Sequence, residues 1–159
     1  MTLDIRWARA GDEAVVLRLI KDLATYEREP DAVQATEESI RNTLFAAHPQ
    51  VFAFLAEMDG RPVGLALWFL TYSTWTGRPS LYLEDLFVDE SMRGQGVAKA
   101  LFRRLAQEAK SRNCGRIDWA VLDWNVDAMA FYERLGGRQQ TGWQPWRVHG
   151  EALDQLAKD

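Results

Sequence analysis

Cysteine, histidine and long apolar runs are all scarce in this sequence of 159 residues. Its single cysteine, Cys114, cannot form an internal disulfide, and no histidine lies near it in sequence to activate it as a nucleophile. The longest apolar stretch, residues 63–70, is far shorter than the ~20 residues that span a bilayer. The first residues also lack the apolar run of a signal peptide. These absences predict a cytoplasmic protein that does not bind membranes, and they argue against catalysis by Cys114.

The sequence also lacks an excess of positive charge. Its 19 lysines and arginines against 23 aspartates and glutamates give a formal net charge of -4. Nucleic-acid binding depends on concentrated positive charge, so nucleic acid is not an expected partner. A chain of this length can bury roughly 70% of the surface that its unfolded form exposes, without disulfides or a structural metal. We therefore expect one compact domain over residues 1–159.

Apolar periodicity predicts four strands and two helices in the first half of the chain. A strand near residues 3–7 precedes a helix over residues 13–23, and a second helix begins at Thr36. The Thr-x-x-Ser sequence at that start fits a capping box only in part. Asp59-Gly60 predicts a tight turn between two antiparallel strands, and a further strand ends at Val88.

The second half alternates helices and strands. Apolar residues recur every four positions from Val97 to Ala109, which predicts a helix of about five turns. A strand over residues 116–122 follows, and then a helix that Asn125 can cap and that has a buried face of Ala128, Phe131, Tyr132 and Leu135. Gly136-Gly137 ends that helix, and we expect a last strand near residues 146–149 and a short helix from Glu151. This order indicates an α/β (α+β) fold with a mixed sheet and helices on its faces.

The glycine-rich segment Arg93-Gly94-Gln95-Gly96 lies between a strand end and the first turn of the long helix. Backbone N–H groups at a helix start have no intrahelical partner, and glycines let the backbone approach an anion closely. The segment lacks the GK[ST] of a P-loop, and Lys99 stands where G-x-G-x-x-G requires its third glycine. It therefore predicts a site for another kind of phosphorylated ligand, or else a turn that merely needs glycine.

The spacing Arg93-x-x-Gly96-x-Ala98, after a strand, resembles the acetyl-CoA loop of the GNAT N-acetyltransferases. Asn125 followed by residues 130–137 resembles the second recurrent segment of that family, in which a helical tyrosine faces the thioester. The likeness extends to the diamine acetyltransferases, and among them to the branch that acetylates thialysine and related small amines. It implies a GNAT acyl-CoA acyltransferase fold with a central mixed sheet of roughly six to seven strands, and a homodimer.

The same resemblance implies acetyl-CoA as the cosubstrate and no metal. A β-bulge in the strand before the glycine loop would free backbone amides for the pantetheine arm, and Tyr132 would protonate the departing thiolate. The cofactor-binding residues that the resemblance implies are Leu86, Phe87, Val88, Arg93, Gly94, Gln95, Gly96, Val97, Ala98, Lys99, Asn125 and Tyr132. Without the resemblance, the pattern alone favours a core aromatic residue at Tyr132, and a helix cap is the simpler interpretation of Asn125, compatible with a cofactor contact.

Acyl transfer to an amine needs a proton acceptor, because an alkylammonium with a pKa of about 10.4 is protonated at neutral pH. Glu84 and Asp85 are the candidates. Neighbouring residues of a regular strand point to opposite faces of the sheet, so both can serve one site only where a bulge re-aims one of them. We expect Asp85 to hold the substrate cation and Glu84 to remove its proton, the alternative being two ordinary solvated carboxylates.

Aromatic faces beside carboxylates suit a long cationic substrate. The resemblance matches Tyr26-Glu27, Asp31, Trp75 and Trp124 to stretches that surround the substrate, although each could instead be a surface or core residue. With Glu84 and Asp85, we expect Glu27, Trp75 and Trp124 to bind the amine. Ser73 stands where diamine acetyltransferases carry an aspartate, and Arg28 interrupts a stretch with fewer acidic residues than theirs. We therefore expect a shorter, amino-acid-like amine in preference to spermidine.

The sequence thus predicts an N-acetyltransferase that moves the acetyl group of acetyl-CoA to a primary amine of a small cationic substrate by direct transfer in a ternary complex. Two alternatives stay open. An acetyltransferase for peptide or protein amines would need an open groove, whereas Trp75 and Trp124 suggest a closed one. An acyl-CoA-binding regulatory module without catalysis would have no use for both Glu84 and Tyr132.

Overall fold

A computed structural model describes all residues, 1–159, and contains five strands and five helices. The strands are β1 (Leu3–Trp7), β2 (Val51–Met58), β3 (Arg61–Ser73), β4 (Arg78–Val88) and β5 (Ile117–Trp119). The helices are α1 (Glu13–Tyr26), α2 (Glu37–Leu44), α3 (Val97–Ser111), α4 (Val126–Arg134) and α5 (Gly150–Leu156).

The chain divides into two compact units. Residues 1–124 hold the whole sheet with α1, α2 and α3, and residues 125–159 hold α4 and α5. A single domain over residues 1–159 therefore stays a prediction.

The five strands form one mixed sheet in the order β1-β2-β3-β4-β5. Neighbours are antiparallel except β4 and β5, which run parallel, and the predicted turn at Asp59-Gly60 joins β2 to β3. The predicted mixed α/β fold is confirmed, but the sheet has five strands, fewer than the roughly six to seven expected.

The strand expected near residues 146–149 is absent, and β5 is shorter than the predicted 116–122. Trp146 and Val148 alternate with polar residues as in a strand, yet both are exposed and no other strand of this chain pairs with them. Alternation shows which side chains could share a face, but a strand forms only where a neighbour accepts its backbone hydrogen bonds. This prediction was therefore wrong for the isolated chain.

Apolar helix faces cover both sides of the sheet, as expected. On one side Val16 and Leu19 of α1 and Ile40 of α2 pack in a core with Leu55 and Leu65 of the strands. On the other side α3 contacts the sheet with Leu101 and Leu105, which are fully buried, and its Arg104 guanidinium lies 4.4 Å from the centre of the Phe54 ring. The fold thus holds β4 firmly between two helical layers.

The start of α2 differs in one detail from its prediction. Thr36 Oγ1 accepts a hydrogen bond from the Ser39 amide at 3.1 Å, and Ser39 Oγ accepts one from the Thr36 amide at 2.9 Å. The capping box is therefore complete, because the shorter serine side chain reaches back as glutamate usually does.

Candidate active site

Strand β4 carries a β-bulge at Glu84. Leu67 of β3 pairs with Asp85 and the next residue, Trp68, pairs with Leu83, so that Glu84 is the extra residue of the ladder. A bulge bends its strand and re-aims the side chains beside it. The structure confirms the bulge expected in this strand and offers a physical reason why adjacent carboxylates can act in one place.

The bulge also marks where β4 leaves β5. The parallel pairing covers only Leu81, Leu83 and the residue between them, while β4 continues along β3 as far as Val88. From Glu84 to Val88 one edge of β4 therefore has no strand neighbour. The backbone amides of Leu86, Phe87 and Val88, predicted to bind the pantetheine arm, lie in this stretch.

Three carboxylates influence one another at the bulge. Burial, and after it the negative charges of Glu84 and Glu27, together raise the pKa of Asp85 to about 6. Burial is also the main cause of the raised pKa of Glu27, with Glu84 contributing again. The structure thus brings Glu27, at the C-terminal end of α1, into the electrostatic range of both β4 carboxylates, as the sequence predicted.

This carboxylate cluster has no cation of its own. None of Glu27, Glu84 and Asp85 forms an ion pair, and no basic group is among the causes that shift the pKa of Asp85. Glu27 and Asp85 are half-buried and Glu84 is exposed. Partial burial and like charges without a counter-charge both disfavour ionisation. A positively charged ligand would relieve this repulsion, so the cluster suits an ammonium group.

The glycine loop leads directly from the open stretch of β4 into α3. Gly94 has φ 75° and Gly96, the residue before α3, has φ 81°, left-handed values that favour glycine. The first intrahelical bond runs from the Ala100 amide to the Gly96 carbonyl at 3.0 Å. The amides of Val97, Ala98 and Lys99 therefore lie at the N-terminus of α3 without intrahelical acceptors, an arrangement that suits phosphate oxygens.

The side chains of the loop have different surroundings. Val97 is buried, so only its backbone can meet a ligand, whereas Gly94, Gln95, Gly96 and Lys99 are exposed. Gln95 Nε2 donates to the Ser91 carbonyl, just before the loop, at 3.4 Å. Phosphate binding at this loop stays a prediction, for which the structure offers free backbone amides and the exposed Lys99 side chain.

Arg93 is held against the sheet. Its Nε donates to the Val88 carbonyl at 3.3 Å, and its guanidinium lies 4.7 Å from the centre of the Tyr26 ring and 5.8 Å from that of Phe87. The sequence predicted Arg93 as a cofactor residue but gave no indication of these ring contacts. They fix the start of the glycine loop beside the end of α1.

The aromatic residues predicted around the amine have contrasting environments. Trp124 lies 6.1 Å from the Tyr26 ring, centre to centre, and the Arg28 guanidinium lies 3.9 Å from the centre of the Trp124 ring. Trp75, in the turn between β3 and β4, is 91% exposed. The structure therefore places Trp124 with residues 26–28, while a role for Trp75 stays a prediction.

The remaining predicted site residues lie in α4. Asn125 Oδ1 accepts a hydrogen bond from the Ala128 amide at 3.3 Å, which confirms the predicted cap. Tyr132 is half-buried, and its ring lies 5.7 Å from that of Phe131. The residues predicted to form the buried face of this helix are half-buried while most of its others are exposed, so the face is oriented as predicted. None is fully buried, because α4 and its short unit enclose little volume.

No group of three or more histidine, cysteine, aspartate or glutamate side chains is arranged to hold a metal ion. None of the helices is long and apolar enough to cross a membrane.

Comparison with known proteins gives a consistent result. The profile of the acetyltransferase (GNAT) family matches residues 16–137. The chain is 40% identical to the thialysine N-epsilon-acetyltransferase of Sus scrofa over 96% of each chain. Its fold resembles that of the integron cassette protein VCH_CASS6 of V. cholerae, with a TM-score of 0.84 and 26% identity over 100% of this chain and 99% of the other.

A further structure of the same fold was solved with a ligand. The chain matches AAC(6')-Iy, in complex with the bisubstrate analogue CoA-S-monomethyl-acetylneamine, with a TM-score of 0.75 and 22% identity over 94% of this chain and all of the other. Both the family profile, which spans most of the chain, and the full-length similarity to a named N-acetyltransferase agree with the geometry at the bulge and the glycine loop. The chain therefore belongs to the acetyltransferase (GNAT) family of acyltransferases.

Proposed function

We propose that this protein transfers the acetyl group of acetyl-CoA to a primary amine of a small cationic substrate, a thialysine-like amino acid, a diamine or a polyamine. The observation that carries this proposal is the bulge at Glu84, where unpaired carboxylates adjoin a strand edge that leads into a glycine loop. The name of the relative from Sus scrofa supports a small amine as the acceptor.

Acetyl-CoA would bind largely through backbone groups. The amides of Val97, Ala98 and Lys99 would meet the pyrophosphate, and those of Leu86–Val88 the pantetheine arm and the thioester carbonyl. Oriented N–H groups at the position where an oxyanion develops lower the barrier to acyl transfer. That AAC(6')-Iy, a protein of similar fold, was solved with a CoA-containing bisubstrate analogue supports this proposal.

The two carboxylates at the bulge would bind the amine and remove its proton. In the proposed step, Asp85 holds the ammonium while Glu84 takes a proton from it, and the neutral nitrogen attacks the thioester carbonyl carbon. A C–N bond forms and the C–S bond breaks as the sulfur leaves with a proton from Tyr132; the nitrogen loses its second proton to give the amide, and that proton restores the Tyr132 hydroxyl. Asn125 would position the helix that carries Tyr132 through its cap.

A direct transfer needs no nucleophile on the enzyme. Cys114 is 5% exposed. Burial raises the pKa of its thiol, and the positive charges of Arg112 and Arg78 lower it by less. The reactive thiolate is therefore scarce at neutral pH. This supports a ternary complex in which amine and thioester react without an acyl-enzyme. A cytoplasmic location, which the sequence predicts, is part of the proposal.

The proposal is tested by mixing the protein with acetyl-CoA and a panel of amines that includes thialysine, lysine, putrescine and spermidine, and by following the release of free thiol. We expect thiol release with at least one small amine and little with a peptide amine. Tight CoA binding with no thiol release from any amine would instead favour the regulatory module.

The pH dependence of amine binding should follow Asp85. Its pKa is raised to about 6 in the free protein, and a protonated carboxyl cannot pair with an ammonium. The amine stays protonated over this range, so we expect KM for the amine to fall as pH rises from about 5 to about 7. Initial rates across this pH range measure it, and a KM that is constant with pH would remove Asp85 from amine binding.

The raised pKa of Asp85 also makes the stability of the fold depend on pH. The folded-state pKa of Asp85 lies above the unfolded value of about 3.9, so the unfolded state loses its proton first as pH rises. The contribution of Asp85 to stability is thus complete below about pH 4 and is lost as pH rises through about 6. Asparagine does not titrate, so Asp85→Asn should remove this pH dependence of the unfolding temperature, measured by thermal unfolding at several pH values.

We also propose that the protein is a homodimer. Apolar side chains in residues 125–159 are exposed, with Trp143 at 77%, Trp146 at 92% and Leu156 at 72%. Large exposed apolar surfaces of this kind are typical of interaction sites. Sedimentation equilibrium should give twice the monomer mass of 18.2 kDa, and a monomer at all accessible concentrations would contradict this proposal.

A further inference from the structure

Arg28 has a backbone conformation that arginine rarely adopts. Its φ is 66°, in the left-handed region, at the position where helices usually end with glycine or asparagine. The Glu29 amide donates to the Ala24 carbonyl at 2.8 Å and the Arg28 amide to the Thr25 carbonyl at 3.1 Å, the Schellman pattern that ends α1. A non-glycine residue held in such a conformation indicates a constraint from its side chain or from function.

The side chain of Arg28 contacts an aromatic ring but forms no ion pair with a carboxylate. Its guanidinium lies 3.9 Å from the centre of the Trp124 ring, and Trp124 in turn neighbours Tyr26. It forms no ion pair and no side-chain hydrogen bond, and it is exposed. The Trp124 contact orients the guanidinium plane and leaves its N–H donors open to a ligand.

Opposite charges stand side by side at this end of α1. Glu27 belongs to the carboxylate cluster with Glu84 and Asp85, and Arg28 is the next residue along the chain. Arg28 is not among the groups that shift the pKa of Glu27 or Asp85, so it does not neutralise the cluster. The protein thus presents an uncompensated cation beside uncompensated carboxylates, a charge pattern complementary to a zwitterion.

We infer that Arg28 binds the carboxylate of an amino-acid substrate whose terminal ammonium is held by Glu27, Glu84 and Asp85. This inference rests on the proposed function and narrows it to amino acids with a side-chain amine. A planar guanidinium can donate two hydrogen bonds to one carboxylate, whereas a diamine or polyamine would bring a second cation toward it and be rejected. Arg28 is therefore a specificity-determining residue and not a catalytic one.

The test compares thialysine with bis(2-aminoethyl) sulfide, the same molecule without its carboxylate. Values of kcat/KM by thiol release and Kd by calorimetry are measured for the wild type, Arg28→Asn and the control Arg61→Asn, an exposed arginine that is the first residue of β3. Asparagine tolerates the left-handed conformation, so Arg28→Asn should fold, and Arg28→Gly serves as a second variant.

We expect the wild type and Arg61→Asn to favour thialysine over its decarboxylated analogue by about 10- to 100-fold, the range of a charged hydrogen bond. Both Arg28 variants should lose this preference through KM and Kd with little change in kcat. A preference that survives in both variants, or a loss of CoA affinity instead, would overturn the inference. If no amine releases thiol, the proposed function fails, and calorimetry still decides whether Arg28 selects the carboxylate.

Discussion

Replacing Tyr132 with phenylalanine should lower kcat by about 10²-fold or more while leaving KM for the amine nearly unchanged. The thiolate of CoA is a poor leaving group unless a proton reaches it as the C–S bond breaks, and the phenol of Tyr132 is the acid that we propose. Removing one oxygen atom deletes that proton without changing the volume of the ring. Steady-state rates at saturating acetyl-CoA measure the effect.

The matched control for this variant is Tyr72→Phe, because Tyr72 is an exposed tyrosine of β3 outside the proposed site. It should keep wild-type rates and thermal stability. If Tyr132→Phe also keeps the wild-type kcat at every pH, the general-acid role is wrong and water protonates the sulfur.

Asp85→Asn should raise KM for the amine by about 10- to 100-fold. The Asp85 carboxylate of the wild type is half-buried and forms no ion pair within the protein. The ammonium group of the bound substrate would therefore be the positive charge that pairs with it. Asparagine keeps the shape of the side chain but offers the cation only a dipole. The comparison is made at pH 7.5 or above, where Asp85 of the wild type is ionised.

Stability distinguishes this loss of binding from damage to the fold. Asparagine removes a charge that Glu84 and Glu27 repel, so Asp85→Asn should unfold at the same or a higher temperature than the wild type at neutral pH. Asp4→Asn, an exposed aspartate of β1, is the control and should change neither KM nor stability. An Asp85→Asn enzyme with wild-type KM would place the ammonium elsewhere.

Local patterns were sufficient to predict most of the scaffold. Helices α1 and α3, the turn at Asp59-Gly60 and the cap at Asn125 all depend on contacts within a few residues, and each is confirmed. The strand expected near residues 146–149 was wrong because its alternation has no partner strand within the chain. Periodicity describes one strand at a time, whereas a sheet requires two.

The candidate site was harder to predict than the scaffold. A regular strand would separate Glu84 and Asp85, and only the family resemblance implied the bulge that re-aims them. The contact of Arg28 with Trp124 joins residues far apart in sequence and could not be seen in any local pattern. Contacts between residues that are distant in sequence determine the electrostatics of the site. The charged residues therefore indicated a binding site only once the fold had brought them together.

The central claim, direct transfer from acetyl-CoA to an amine held at the β4 bulge, is tested most directly by initial rates with both substrates varied. We expect intersecting double-reciprocal lines, no thiol release without an amine, and a product whose mass equals that of the amine plus one acetyl group. Parallel lines together with a burst of thiol in the absence of amine would reveal an acyl-enzyme and contradict the account.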